Sequence, residues 1–163
     1  RLKNLGFVDE VTLVASGING KMSDINAAFG LLQLKQIDGV IERRREIECA
    51  YRDQLKNLPG IRCLEENTRI KHNHAYFPVL VEPGYPLSRD ELYQKLKDNH
   101  IYARRYFYPL ITEFSMYRGM PSAQRGNLAV ANDIADKVIC LPIYPALDDK
   151  DVDRVVNVLK EVC

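Results

Sequence analysis

Residues 75–99 read AYFPVLVEPGYPLSRDELYQKLKDN. The first seven are aromatic, β-branched or aliphatic and predict a strand over 75–81. Pro78 within it predicts an edge position or a bulge, because proline has no N–H to give to a neighbouring strand. Ser88–Glu91, SRDE, has the spacing of a capping box. It predicts a helix that ends near Asn99, with Leu92, Tyr93 and Leu96 turned inward.

Toward the C-terminus, His100–Pro109 (HIYARRYFYP) reads as a short strand followed by an aromatic turn. Residues 112–126 hold Gly119, Pro121 and Ser122 and predict a surface loop. A helix over 127–137 follows, with Leu128, Ala131, Ile134 and Ala135 inward, and then a short buried strand, VICLPI, over 138–143. Asp148 is placed to cap a final helix carrying Val152, Val155, Val156 and Leu159. The order strand, helix, strand, helix, strand, helix predicts a small mixed α/β (α+β) layer with helices on one face of a short sheet.

Toward the N-terminus, Pro59 and Gly60 close a helix whose inward residues are Ile41, Ile47, Tyr51, Leu55 and Leu58. Asp38 and Gly39 interrupt the pattern before it. Ser23 is placed to cap a preceding helix, DINAAFGLLQLKQI, in which Ile25, Ala28, Phe29, Leu32 and Gln36 or Ile37 share one face. Ala27, Leu31 and Leu34 make the opposite side apolar as well, so this helix calls for two partners, one of them a second subunit. Residues 1–38 read as the end of another domain and 39–163 as a small α/β domain that begins with a long connecting helix. The chain opens on RLKNLGF without methionine, which reads as the continuation of something longer.

The chain has 163 residues, with 23 Lys+Arg against 22 Asp+Glu. The resulting net charge of +1 makes no basic field for nucleic acid or anionic lipid. No apolar run reaches the roughly 18 to 20 residues that span a bilayer, and the expected location is cytoplasmic. Cys49, Cys63, Cys140 and Cys163 are scattered without a C-x-x-C pair, so neither a zinc site nor a disulfide framework is expected. His72 and His74 form an H-x-H without the further ligands a metal site needs. Arg43, Arg44 and Arg45 lie among Glu42, Glu46 and Glu48 and read as a solvated or salt-bridged helix face.

No self-contained catalytic motif is present: there is no G-x-S-x-G, P-loop, G-x-G-x-x-G or H-E-x-x-H. Two segments exceed the needs of packing. Gly17–Lys21, GINGK, offers donors from Asn19 and Lys21 beside a helix start, which suits a phosphate or carboxylate, or simply forms a turn and a cap. In ARRYFYPL, Arg104, Arg105, Tyr106 and Tyr108 suit a sugar or nucleotide diphosphate, or form an exposed strand edge with aromatic anchors. Strand alternation would put Arg105 on one side with Phe107, and Arg104 on the other with Tyr106 and Tyr108.

At these residues the chain resembles the DegT/StrS-type sugar aminotransferases. The resemblance lies in GINGKMSDINAAFGLLQLKQIDGVIERRREI, NHAYFPVLV, RDELYQKLKDNHIYARRYFYPL and VICLPIYPALDDKDVDRVV, which together run along almost the whole chain. It implies the C-terminal small domain of a fold type I pyridoxal phosphate enzyme, preceded by the end of the large domain. Such enzymes pass an amino group, typically from glutamate, to a keto sugar on a nucleotide, as in amino-sugar or cell-surface polysaccharide biosynthesis. The Schiff base lysine would lie upstream of residue 1, leaving this chain inactive by itself. By the same resemblance, Asn19 and Lys21 would reach the cofactor phosphate of a partner subunit, in a homodimer formed through residues 17–37. Arg105, Tyr106 and Tyr108 would lie on the substrate side. Two other classes stay open on the sequence: a stand-alone α/β binding or regulatory module, and an inactive relative that keeps the fold.

Overall fold

Short apolar strands bounded by proline and glycine cannot bury themselves; in this chain they pair into one sheet under three helices. The structure, a computed structural model, describes residues 8–9, 12–18, 20, 22–67 and 69–163. The chain divides into two units, Arg1–Gly39 and Val40–Cys163.

In the first unit, helix α1 spans Asp24–Leu34, and the Ser23 hydroxyl accepts the Asn26 N–H at 3.3 Å, as the cap expected there. Not one of its residues is buried. Ile25 is 81% exposed and Phe29 62%. The helix breaks at Lys35 and Gln36, whose N–H groups turn back to the carbonyls of Leu32 and Gln33. Helix α2 then runs over Ile37–Leu55. The interruption therefore comes before Asp38 and Gly39, which lie in the first turn of α2; an aspartate there complements the helix dipole.

The second unit carries the core. Its four strands are β1 Ile61–Cys63, β2 Phe77–Val81, β3 Arg104–Arg105 and β4 Val138–Leu141, ordered β1-β2-β4-β3 and antiparallel throughout. Strand β1 has only three residues, too few for a readable alternation. Strand β2 lies inside the sheet, which corrects the edge position expected from Pro78. Pro78 is tolerated because the pairing with β1 ends at Val79, so at Pro78 only β4 remains alongside.

Helices α3 (Arg89–Asp98) and α5 (Asp149–Lys160) begin at the predicted Ser88 and Asp148 caps, and the Ser88–Glu91 capping box is complete. With α2 they enclose one cluster. Phe77, Val79, Val81, Ile139 and Leu141 from the sheet meet Tyr51, Leu55, Leu92, Leu96, Val156 and Leu159 from the helices. Tyr51 stacks on Phe77 with ring centroids 5.1 Å apart, and its hydroxyl donates to the Pro142 carbonyl at 3.0 Å. Burial holds the Tyr51 hydroxyl well above the usual phenol range. Tyr85 ties the other end of the core, its hydroxyl donating to the Leu159 carbonyl at 2.8 Å. Gly60 adopts φ +75°, and a Cβ there would lie 2.1 Å from the Tyr85 nitrogen, so no other residue fits.

Helix α4 spans Ala129–Lys137 and buries only Ala135. Leu128, Ala131 and Ile134, expected inward, instead line a surface hollow beside the aromatic turn. The large side chains of the core come from the other helices, and α4 is left to cover this flank. The expected loop over 112–126 is exposed for most of its length and carries single 3-10 turns at Pro121–Ala123 and Arg125–Leu128, following one at Ile111–Glu113. Among the described residues no helix is long and apolar enough to cross a membrane.

Candidate functional site

The aromatic turn hangs from the edge of the sheet. Arg104 and Arg105 pair with Cys140 and Ile139 of β4, and the strand ends there. Because β3 is only two residues long, the expected alternation does not continue. Arg104 lies over Phe107 at 5.1 Å, while Arg105 lies over Tyr108 at 4.8 Å and Tyr93 at 4.7 Å. This inverts the expected partners, since the backbone turns between Arg105 and Phe107.

Tyr108 precedes a cis peptide bond to Pro109 and is 39% exposed. A second guanidinium, that of Arg89, lies 4.5 Å from its ring centroid. Arg89 is only 3% exposed and donates to the carbonyls of Ala135 at 2.7 Å and Val138 at 3.3 Å. Asp90 Oδ1 lies 2.8 Å from Arg89 Nε, off the direction of a hydrogen bond, and accepts from Arg105 at 3.1 Å. Sequence reasoning missed Arg89. An arginine at the first position of a helix reads as surface, and only the return of the chain through Ala135–Val138 buries it.

Tyr106 packs against Phe107 at 4.5 Å and Tyr76 at 5.1 Å. Tyr106, Phe107, Leu110, Ile111, Leu128 and Ile134 help to line an apolar hollow of about 460 Å³. The structure thus brings Arg89 and Arg105 together on the Tyr108 ring, with Asp90 beside both arginines and Tyr106 in the neighbouring aromatic cluster. The arrangement offers a flat aromatic surface, a partly exposed phenol and an arginine that makes one hydrogen bond among the described residues. Those are groups that hold sugars and phosphates.

In the other candidate segment, Asn19 and Lys21 lie outside the described residues. Around them Ile18 and Met22 are exposed, Ser23 caps α1, and Asp24 occupies its first turn.

A buried ionic group was also missed. Glu48 on α2 accepts from Arg52 Nη2 at 2.6 Å and meets His74 Nδ1 at 2.8 Å, and Arg52 also donates to the Leu64 carbonyl at 2.6 Å. Burial alone would push the Glu48 carboxyl up; the hydrogen bonds of His74 and Arg52 outweigh it and hold the carboxyl below its ordinary range. His74 adopts φ +48°. The group pins the irregular stretch after β1 against α2, so its role is structural. No cluster of three or more His, Cys, Asp or Glu able to hold a metal occurs among the described residues. Arg43 and Arg45 are salt-bridged as expected, Arg43 to Glu46 and Asp149 and Arg45 to Glu42, while Arg44 makes no ion pair among the described residues and its buried Nε has no hydrogen-bond partner there.

Residues 1–160 match the DegT/DnrJ/EryC1/StrS aminotransferase family. Over 159 residues the chain is 52% identical to the dTDP-4-amino-4,6-dideoxy-D-glucose transaminase of Escherichia coli, covering 98% of this chain and 43% of that protein. A protein of the same name from Shigella dysenteriae is 42% identical over 162 residues, covering 99% and 44%. Among solved structures, DesI in the presence of its TDP-sugar product is 32% identical with a TM-score of 0.78, covering 98% of this chain and 40% of that one. DesV of S. venezuelae in complex with a ketimine intermediate is 26% identical with a TM-score of 0.84, covering 98% and 42%. The chain therefore spans less than half the length of the relatives it matches.

Proposed function

This chain belongs to the DegT/DnrJ/EryC1/StrS aminotransferase family, and from that premise we propose that it forms the C-terminal part of a pyridoxal phosphate enzyme that aminates a keto sugar carried on a nucleotide. Its mixed α/β fold is that of the fold type I aminotransferases among its structural neighbours. The observation that carries the proposal is the 52% identity, over 98% of this chain, to a dTDP-amino-sugar transaminase. Glutamate is the proposed amino donor and a dTDP-linked sugar the proposed acceptor. When bound, pyridoxal phosphate supplies the electron sink for amino transfer.

The chain's own residues have three proposed tasks. Asn19 and Lys21, an amide and an ammonium beside a helix start, form a donor set that fits a phosphate, although Asp24 in the first turn works against it. They would hold the cofactor of the partner subunit. Residues 17–37 would form the homodimer surface, a reading supported by the exposed Ile25, Phe29, Leu31, Leu32 and Leu34 of α1. Arg105, Tyr106 and Tyr108 would line the substrate side. The Schiff base lysine is proposed to lie in the portion of the relatives that this chain does not span, so the 163-residue chain by itself would be inactive. The proposed location is cytoplasmic, in keeping with four free thiols.

The test uses the whole protein loaded with pyridoxal phosphate, glutamate and dTDP-4-keto-6-deoxyglucose. The expected result is one 2-oxoglutarate for each dTDP-4-amino-4,6-dideoxyglucose formed. A protein that retains the cofactor through desalting yet aminates none of a panel of nucleotide sugars would overturn the proposal.

A further inference from the structure

Two arginines on different elements converge on one tyrosine. The guanidinium of Arg89, from α3, lies 4.5 Å from the Tyr108 ring centroid, and that of Arg105, from β3, lies 4.8 Å away. Like charges this close repel, and Asp90 lies against both, 2.8 Å from Arg89 Nε and 3.1 Å from Arg105 Nη1. Each arginine is rooted in the core: Arg89 through the carbonyls of Ala135 and Val138, Arg105 through the pairing of its backbone with Ile139 and the ring of Tyr93.

The ring they hold is itself at the surface, and the Tyr108 hydroxyl makes no hydrogen bond among the described residues. An exposed tyrosine needs no such support to let the chain fold. Burying Arg89 to 3% exposure removes a charge from water, and the carbonyls of Ala135 and Val138 with the carboxylate of Asp90 offset that cost. Guanidiniums fixed in this way hold the ring still, and a still ring keeps its free hydroxyl aimed in one direction.

We propose that Arg89, Asp90 and Arg105 are positioning residues that clamp the Tyr108 ring so that its hydroxyl meets an oxygen of the bound sugar nucleotide. The inference rests on the sugar-nucleotide function proposed above and assigns part of its substrate recognition.

The test compares the whole protein with its Asp90→Asn, Asp90→Glu, Tyr108→Phe and Asp90→Asn/Tyr108→Phe variants. Asp90 is more than half exposed, but its carboxylate lies beside the buried Arg89, so each variant is assayed well below its own unfolding midpoint. Asp90→Asn is expected to raise KM for the sugar nucleotide by about three- to tenfold, with kcat and the KM for glutamate unchanged. Asp90→Glu should recover part of the loss, and Asp90→Asn should add nothing once Tyr108 is phenylalanine. In protein with labelled tyrosine, the ring signals of Tyr108 should be those of a slowly flipping ring and should average in Asp90→Asn. Three results would overturn the clamp: a rise in both KM values together, multiplying effects of the two substitutions, or a freely flipping Tyr108 in the unsubstituted protein. Turnover by the unsubstituted protein is read first. Its absence defeats the proposed function, and with it the substrate role, while the ring signals still decide whether Tyr108 is clamped.

Discussion

Helices α1 and α5 are nearly equal in length, 11 and 12 residues, and both start on a side-chain cap, yet α5 buries five residues and α1 none. The difference lies in how their apolar residues are distributed. In α5 the valines and Leu159 gather on one side, away from most of its aspartates and lysines, so the core of its own domain satisfies the helix. In α1 the apolar residues go round the cylinder, and no single surface can cover them. Covering a helix of that kind takes more than one surface, whereas α5 needs only its own domain.

The sharpest way to break the comparison is to delete the same side chain from both. Leu159→Ala removes a fully buried side chain and should lower the unfolding free energy of this chain by about 3 kcal/mol in urea denaturation. A loss below about 1 kcal/mol would mean that the α5 stripe is not the anchor described.

Glu48→Gln should cost about 2 kcal/mol, because Arg52 and His74 lose the carboxylate that neutralises them. It also carries a pH signature. The folded-state pKa of Glu48 lies below its ordinary value, so its contribution is complete above the ordinary carboxylate range and disappears as the pH falls through the folded value. Urea midpoints measured from neutral to acid pH should therefore fall less steeply in Glu48→Gln than in the unsubstituted chain.

Capping sharpens the contrast further. Ser88→Ala dismantles the capping box of α3, a helix built into the core, and should lower stability by about 1 kcal/mol in thermal unfolding. Ser23→Ala removes the equivalent cap from α1, and the same unfolding transition should not register it. An equal shift in both would show that α1 unfolds with the core.

The smallest expected effect is that of Leu32→Ala on α1, under about 0.5 kcal/mol in this chain, since its side chain is already exposed. In the whole protein the same substitution should weaken the proposed homodimer, seen as a lower mass in light scattering at dilution. An unchanged mass would remove Leu32 from that surface.

Local signals carried far along the chain. Ser23, Ser88 and Asp148 all cap helices where the spacing placed them, and the apolar periodicity of α3 and α5 picked out Leu92, Leu96, Val152, Val155, Val156 and Leu159. The failures share a cause. Strand β1 is too short for a pattern, and Pro78 is harmless only because β1 stops at Cys63, opposite Val79. The partners of Arg104 and Arg105 depend on a turn that strand alternation could not foresee.

The sequence by itself determined the helices and their caps, the apolar strands and the family to which the chain belongs, because each is written in residues close together along the chain. Only the tertiary structure decided which charged residues are buried. Glu48 meets His74 across 26 positions, and Arg89 reaches the carbonyl of Ala135 across 46. A buried charge is tolerated only where its partners converge, and that convergence is settled when the chain folds back on itself, at separations no local pattern records.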